Sequence, residues 1–304
     1  MDRLEAMRVF VSALDEGSLA GAGRRLGRSP PAVTRAINAL EAHVGARLLD
    51  RTTRMIRLTE AGERYAMACR RVLLDLDEAQ LQAAGGRAAP SGLLTLTAPV
   101  VAGTRLLRPL VDAFLESQPA VQARLLLLDR VVGLLDEGVD MALRIAHLPD
   151  SSLVALRVGA VRQVVCAAPS YLAQHGSPRE PADLAAHRCI AQIHALAGEH
   201  WSFPPASEGG RHRQVRIRPR LSLNSVEAAI ASAVEGRGLV RVLCYQVADE
   251  VRSGRLALVL KDCEPPLLPV HLVAPEGRLS VAKVRAFADF ALPRLKARFA
   301  ESVE

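Results

Sequence analysis

Pro31, Thr34, Arg35 and Asn38 recur at the three- and four-residue steps of one helical face, just beyond Arg28, Ser29 and Pro30. None of them is a nucleophile with a base beside it. Together they offer a methyl, a hydroxyl, a guanidinium fork and an amide, the groups that bind base edges and phosphates without covalent chemistry. The chemistry of this segment is recognition, and nucleic acid is the polyanion it suits. Enzymatic motifs are absent from the chain: it has no GxSxG, no HExxH, no P-loop and no GxGxxG after a strand. Cys189, His194 and His200 match no standard metal spacing, and isolated residues of these types usually fill packing positions. No catalytic residue, metal or other cofactor is expected.

A reading face needs elements that hold it. Leu4, Met7, Val11 and Leu14 fall on one face of a first helix, with Asp2 and Glu5 placed as a capping box and Gly17 as the stop. Ser18 can cap a second helix that turns Leu19, Ala22 and Leu26 inward and ends at Gly27. Ser29 caps a third, with Pro30 at its first position and Val33, Ile37, Leu40 and Val44 as the buried stripe. Two helices joined by a tight glycine turn make a helix-turn-helix. Its second helix meets base edges with N-terminal residues, while its dipole and free N–H groups favour a phosphate. After Gly45, residues 48–49 and 55–58 read as two short strands joined by the turn 50–54, a wing for the backbone or the minor groove. A small helical interaction module with a charged surface is the bland alternative.

Composition and charge agree with this. Of 304 residues, 50% are hydrophobic and 23% charged, which excludes a disordered or disulfide-dense chain and allows about two domains. The net charge is +7, and residues 1–58 hold ten arginines and no lysine against six acids. A fifth of the chain thus carries over half of the excess charge. No apolar run reaches the roughly 18 residues of a membrane span, and the N-terminus carries acids where a signal peptide would be apolar. Five cysteines without a CxxC spacing suggest reduced thiols. A cytoplasmic protein with no membrane partner is expected.

The run RRLGRSPPAVTRAINALEAHVGARLLDRTTRMIRLTEAGERY resembles the winged helix-turn-helix of LysR-type transcriptional regulators. The capped recognition helix, the LEAHVGARLLDRTTR passage and the LTEAG start of the next helix follow in order. The resemblance implies sequence-specific binding of double-stranded DNA at an interrupted inverted repeat by a homodimer or homotetramer, and it admits RNA polymerase as a partner. Pro31, Thr34 and Arg35 match the family's pattern, as do Arg51 and Arg54 of the wing, and Arg28, Ser29, Asn38, Thr52 and Thr53 are expected at DNA beside them. Pro30 belongs to the same face but stands where many members have glutamine, so the amide contact often made there is lost.

From Thr59 onward Leu58, Ala61, Tyr65, Ala68, Cys69, Val72, Leu76 and Ala79 approximate a seven-residue repeat on one long helix. A narrow seam with charged flanks pairs most economically with a second copy; packing on the chain's own remainder is the alternative. Residues 85–92 then break helix and composition alike.

Beyond them, residues 93–98 read as a strand, 100–117 as a helix with Leu106, Leu110 and Phe114 inward, and 121–128 as a strand. A short helix ending at Gly138 and a strand over 140–145 follow. Such alternation predicts a mostly parallel sheet, with ligands outside the strand ends at 97–100 and 144–147. Thr97 and the N–H groups beyond Pro99 could hold a carboxylate, or Thr97 could merely cap the helix. The middle repeats this alternation, with strands over 163–168 and around Cys189, helical 182–187, Asn224 capping 225–235, and a strand at 239–240. A strand over 270–274 and a last helix carrying Val281, Val284, Phe287 and Ala288 look placed to return to the first lobe. Trp201, the only tryptophan, fills the second lobe, and the five arginines of 211–220 read as a solvated hairpin that could otherwise touch flanking DNA or an anionic ligand.

The segments VVGLLDEGVDMALRIAHLPDSSLVALRVG, CAAPSYLAQHGSP and LNSVEAAIASAVEGRGLV are similar to the LysR-type effector domain. That similarity implies two lobes of periplasmic-binding-protein type around a cleft lined by Thr97, Pro99, Val100, Arg144, Ala146, Asn224 and Ser225. Redox sensors occur in the family, which leaves a Cys166–Cys189 switch open, although nothing around either residue lowers a thiol pKa. The whole is an α/β protein: a winged helix-turn-helix over 1–58, a dimerisation helix and hinge over 59–90, and an effector domain over 91–304. Lobe one spans about 91–161 plus 267–304 and lobe two about 162–266. The expected function is a DNA-binding regulator, not an enzyme, controlled by a small molecule, anionic if the 97–100 corner holds a carboxylate. An enzyme or transporter-type binding protein on the two-lobed fold, and an architectural DNA binder without effector, are the rival classes.

Overall fold

The computed structural model describes residues 2–51, 56–83, 89–135, 137–149, 153–193, 200–205 and 212–300. The chain divides into two compact units, residues 1–92 and 93–304.

In the first unit, α1 (Arg3–Asp15), α2 (Leu19–Leu26) and α3 (Pro30–Val44) are followed by β1 (Leu49–Arg51), β2 (Ile56–Leu58) and α4 (Glu60–Ala83). Asp2 caps α1 by accepting from the Leu4 N–H, yet no capping box forms, because the Glu5 carboxylate is bound to the Arg28 guanidinium. Ala6, Val9, Phe10 and Ala13 form the inward stripe of α1, whereas Met7, Val11 and Leu14 sit half-buried at its margin. Ser18 Oγ accepts from the Gly21 N–H at 3.0 Å, and Gly27 ends α2 in the left-handed region at φ 63°. Ala22 is fully buried, but Leu26 stays 37% exposed because the helix stops one residue later. Val33, Ile37 and Leu40 of α3 are buried as the periodicity predicts. β1 and β2 pair antiparallel, Leu49 with Leu58 and Arg51 with Ile56, pinned by Glu41, whose carboxylate accepts from the Leu48 and Leu49 N–H groups at 2.8 and 3.1 Å.

The seam expected on α4 is divided. Cys69 is fully buried in the unit's own core and Tyr65 packs there, 6.2 Å from the Phe10 ring, because a helix starting straight from the wing lays its first turns on that core. Ala68 and Val72 remain outward, with Met67 54% and Val72 43% exposed.

The second unit begins with β3 (Gly92–Ala98) and a continuous helical stretch made of α5 (Val100–Ala102), a π turn (Gly103–Leu107) and α6 (Arg108–Ser117). β4 (Val121–Leu127), β5 (Met141–Ile145), β6 (Leu153–Val161), β7 (Gln163–Ala167) and α7 (Pro169–His175) follow. Then come β8 (Cys189–Gln192), β9 (His200–Phe203), β10 (Arg213–Arg216), β11 (Leu221–Leu223), α8 (Val226–Val234) and β12 (Leu239–Leu243). α9 (Ala248–Arg252), β13 (Ala257–Val259), β14 (Leu268–Pro275) and α10 (Ala282–Ala300) complete it. The helix expected before Gly138 is a single turn, closed by the Val139 N–H on the Leu134 carbonyl at 2.8 Å.

Among the described residues two five-stranded sheets result, ordered β4-β3-β5-β14-β6 and β11-β8-β12-β7-β13. Both are mixed rather than mostly parallel: β14 runs antiparallel to β5 and β6, and β7 antiparallel to β12 and β13. The cause is direct strand-to-strand crossing, since only Arg162 separates β6 from β7 and no helix intervenes to reverse the chain. α10 packs with the first of these sheets, burying Val284, Phe287 and Ala288 in one cluster with Phe114, the Phe114 and Phe287 rings edge-to-face at 5.2 Å. Gly159 is required there, because a Cβ on it would stand 2.3 Å from Phe299 Cβ.

Candidate nucleic-acid interface and ligand cavity

On α3, Pro30, Pro31, Arg35 and Asn38 are exposed and Thr34 is half-buried, all but Asn38, one residue past the midpoint, in the N-terminal half of the helix. Ser29 is exposed but makes no side-chain cap; its carbonyl accepts from the Ala32 and Val33 N–H groups at 2.9 and 3.1 Å. Pro30 and Pro31 have no N–H to give. The helix start therefore lacks the free donors expected for a phosphate, and contacts from this end fall to side chains. Arg28 is half-buried and tied to Glu5, which fixes the turn between α2 and α3. Arg51 closes β1, while Thr52, Thr53 and Arg54 lie outside the described residues.

In the second unit a cavity of about 400 Å³ opens between the two sheets. Pro99, Asp129 and Ile145 line it from lobe one, and Gln163, Gln192, Trp201, Asn224, Arg241 and Gln246 from lobe two. Of the residues expected at the cleft, Pro99 and Asn224 line this space. Thr97 does not: it is buried, and its hydroxyl donates to the Leu126 carbonyl at 2.7 Å, joining β3 to β4. The Val100 N–H at the helix start donates to Asp129 Oδ1 at 3.0 Å, so that donor is already used. Arg144 points to the Val132 carbonyl at 2.7 Å, Ala146 faces outward, and Ser225, not Asn224, caps α8 by accepting from the Ala228 N–H.

Sequence reasoning missed Arg241. It sits on β12, the central strand of the lobe-two sheet, within the run Leu-Val-Arg-Val-Leu. A lone cation in an apolar central strand was the available signal. Its guanidinium donates to Gln163 Oε1 and lies over the rings of Phe203 and Trp201, 5.2 and 6.0 Å from their centroids. Burial lowers its pKa to about 10, which leaves it charged at neutral pH. Gln192 Nε2 donates to the Arg241 carbonyl at 3.2 Å, tying β8 to β12 beneath the site.

The thiols considered for a switch are buried on opposite faces of that sheet, Cys166 with Val164 and Val240, Cys189 with Val165 and Leu239. Burial pushes each pKa up to about 12, the opposite of a reactive thiolate. His200 lies on β9 and His194 lies outside the described residues. Trp201 does belong to the lobe-two core and also borders the cavity. The arginine-rich stretch forms the hairpin strand β10, paired with β9, where Arg213 donates to the Pro204 carbonyl; Arg211 lies outside the described residues. No helix among the described residues is long and apolar enough to cross a membrane.

Residues 4–63 match the family model of the bacterial regulatory helix-turn-helix protein, lysR family, and residues 87–296 match the LysR substrate binding domain. The chain is 34% identical to an HTH-type transcriptional regulator of Xanthomonas campestris pv. campestris over 94% of this chain and 84% of that protein. It is 32% identical to an HTH-type transcriptional repressor of Pseudomonas aeruginosa over 96% of this chain and 92% of that one. Among solved structures, CrgA, a LysR-type transcriptional regulator from Neisseria meningitidis, is similar at TM-score 0.61 and 29% identity, covering 96% of this chain and 98% of that chain. With a DNA-binding helix pair, a long following helix and a two-lobed α/β domain all matched in order, the chain belongs to the LysR family of bacterial transcriptional regulators.

Proposed function

We propose that this regulator reads an interrupted inverted repeat through α3 and the wing, as a dimer or dimer of dimers joined along α4, and that a small molecule in the interlobe cavity sets its grip on DNA. Pro31, Thr34, Arg35 and Asn38 would face base edges, with Ser29 and Pro30 at the groove wall and Arg51, Thr52, Thr53 and Arg54 along the backbone. Arg28 would act through the turn it holds with Glu5. The outward residues Met67, Ala68 and Val72 are what α4 offers a second copy. The cavity shared by both lobes supports effector control most directly, because a ligand touching both sheets binds one arrangement of the lobes better than another. Linkage then changes DNA affinity by that differential affinity and no more.

The test is footprinting of the DNA beside its own gene, followed by fluorescence anisotropy on the protected sequence with and without candidate metabolites. A protected repeat whose affinity moves with a metabolite that also raises the melting temperature is the expected result. Equal affinity for all DNA sequences at every salt concentration would refute it.

A further inference from the structure

Arg241 is a cation held in place by groups that do not neutralise it. Its partners are an amide oxygen, that of Gln163, and the faces of Phe203 and Trp201. Among the described residues no carboxylate pairs with it, and its Nε is buried without a hydrogen-bond partner. Arg241 is half-buried with its Nε fully enclosed, and an arginine so shielded and kept for the fold is ordinarily matched by an acid, because the uncompensated charge costs stability. Here the unmatched fork borders a cavity of about 400 Å³, within the size range of small-molecule pockets. Much of the remaining wall is apolar, including Ile145, Ile190, Val226, Leu243 and Leu268.

We infer that the cavity takes a small monocarboxylate with an apolar body, its carboxylate seated on the Arg241 guanidinium and its body against the apolar wall. This deepens the reading of the cavity as the effector site and rests on it. The planar fork matches a planar carboxylate in a two-bond geometry. A phosphate would need more cations or N–H donors than this wall supplies. Asp129, on the lobe-one wall with its Oδ1 on the Val100 N–H, repels a second anionic group, which sets the charge of the ligand at one.

The test uses the full-length protein at constant ionic strength, with benzoate and hexanoate as probes, benzamide and hexanamide as neutral counterparts, and benzene-1,4-dicarboxylate as the dianion. Calorimetric titration and thermal shift should show saturable, millimolar or tighter binding of both acids, with the amides and the dianion about tenfold weaker, the scale of one charge-assisted bond pair. Arg241→Gln should weaken the acids by at least about tenfold and leave the amides unchanged, with Arg241→Lys between. A far-UV circular dichroism spectrum matching the parent and a cooperative ligand-free melting curve at or above the parent's midpoint certify the fold of each variant. Amides that bind as well as acids, acids that bind Arg241→Gln undiminished, or no saturable binding of either acid would overturn the assignment. The two readings separate on DNA: a neutral metabolite that shifts operator affinity keeps the effector site and sinks the anion. Acids that bind through Arg241 without altering operator affinity keep the anion and sink effector control.

Discussion

Replacing Arg241 by glutamine in the ligand-free protein should leave it as stable as the parent or slightly more so. Burial lowers the guanidinium pKa to about 10, a displacement that corresponds to about 3 kcal/mol of charge-burial cost at about 1.4 kcal/mol per pH unit. Against that relief, the variant loses part of the bond to Gln163, worth about 1 kcal/mol since the new amide can remake some of it. It also loses the cation over Phe203 and Trp201, again about 1 kcal/mol. The backbone carbonyl that accepts from Gln192 is untouched, so β8 and β12 stay joined. The net is a gain of about 1 kcal/mol, read as a rise of about 2–4 °C in the melting temperature of a domain this size. Urea unfolding of the full chain, followed by Trp201 fluorescence, reports on this lobe directly. An arginine locked in a structural ion pair would behave oppositely, losing about 3–5 kcal/mol on removal of one partner. A drop of about 10 °C would therefore refute the claim that this charge is unmatched.

Arg35→Ala should leave folding stability within about 0.5 kcal/mol, because Arg35 is exposed and makes no hydrogen bond or ion pair among the described residues, while costing about 1–3 kcal/mol on the operator. Anisotropy titrations on operator and random DNA at several salt concentrations check it: equal losses, with the salt slope reduced by about one, would make it a phosphate contact. Gly62→Ala should destabilise the first unit by about 2–3 kcal/mol, because a Cβ there would lie 2.0 Å from the Leu48 carbonyl oxygen and neither backbone is free to yield. Chemical denaturation measures this, and a variant as stable as the parent would show that α4 can slide away from β1. Cys166 and Cys189, with pKa values near 12, should resist iodoacetamide at pH 8, carrying about a thousandfold less thiolate than in the unfolded chain. Mass spectrometry of native and denatured samples distinguishes the two states; rapid native labelling of either would revive the redox switch.

The first unit was legible because its signals are local. Gly17, Gly27 and Gly45 each take the positive φ their positions suggested, and the stripe of α3 follows its own periodicity. What failed there were residues with more than one suitor. Glu5 had a choice between its helix N-terminus and Arg28, and a guanidinium outbids a backbone N–H. Tyr65 and Cys69 could serve a second copy or their own core, and periodicity alone does not arbitrate between them. The cavity was less legible for a geometric reason. The strand-end rule pointed to both lobe-one corners, and each supplies one lining residue, Pro99 from the first and Ile145 from the second. Most of the polar lining comes from β7, β8, β9 and β12, whose approach to that corner depends on how the second lobe folds back, a long-range fact that no window of sequence contains.

The strand that carries Arg241 also leads into the segment that clasps the other lobe. β12 ends at Leu243, and the turn that follows (Cys244–Gln246) presents the carbonyls of Tyr245 and Gln246 to Arg105, which donates to them at 3.5 and 3.1 Å. Arg105 stands in the π turn of lobe one, a local widening of the helix of a kind that recurs at functional sites. Gly103 opens that turn, and a Cβ on it would lie 2.1 Å from Leu127, so the helix cannot shift toward the sheet. The Tyr245 ring meanwhile packs into the lobe-one core, and Gln246 fixes the turn by accepting from the Leu243 N–H at 2.9 Å. A ligand pulling on Arg241 therefore pulls on a strand only a few residues from the clasp between the lobes. Under the proposed effector reading, the energy available to move that clasp is bounded by how much better the ligand fits one lobe arrangement than the other, a difference that must come from its contacts with lobe one while it is held on Arg241.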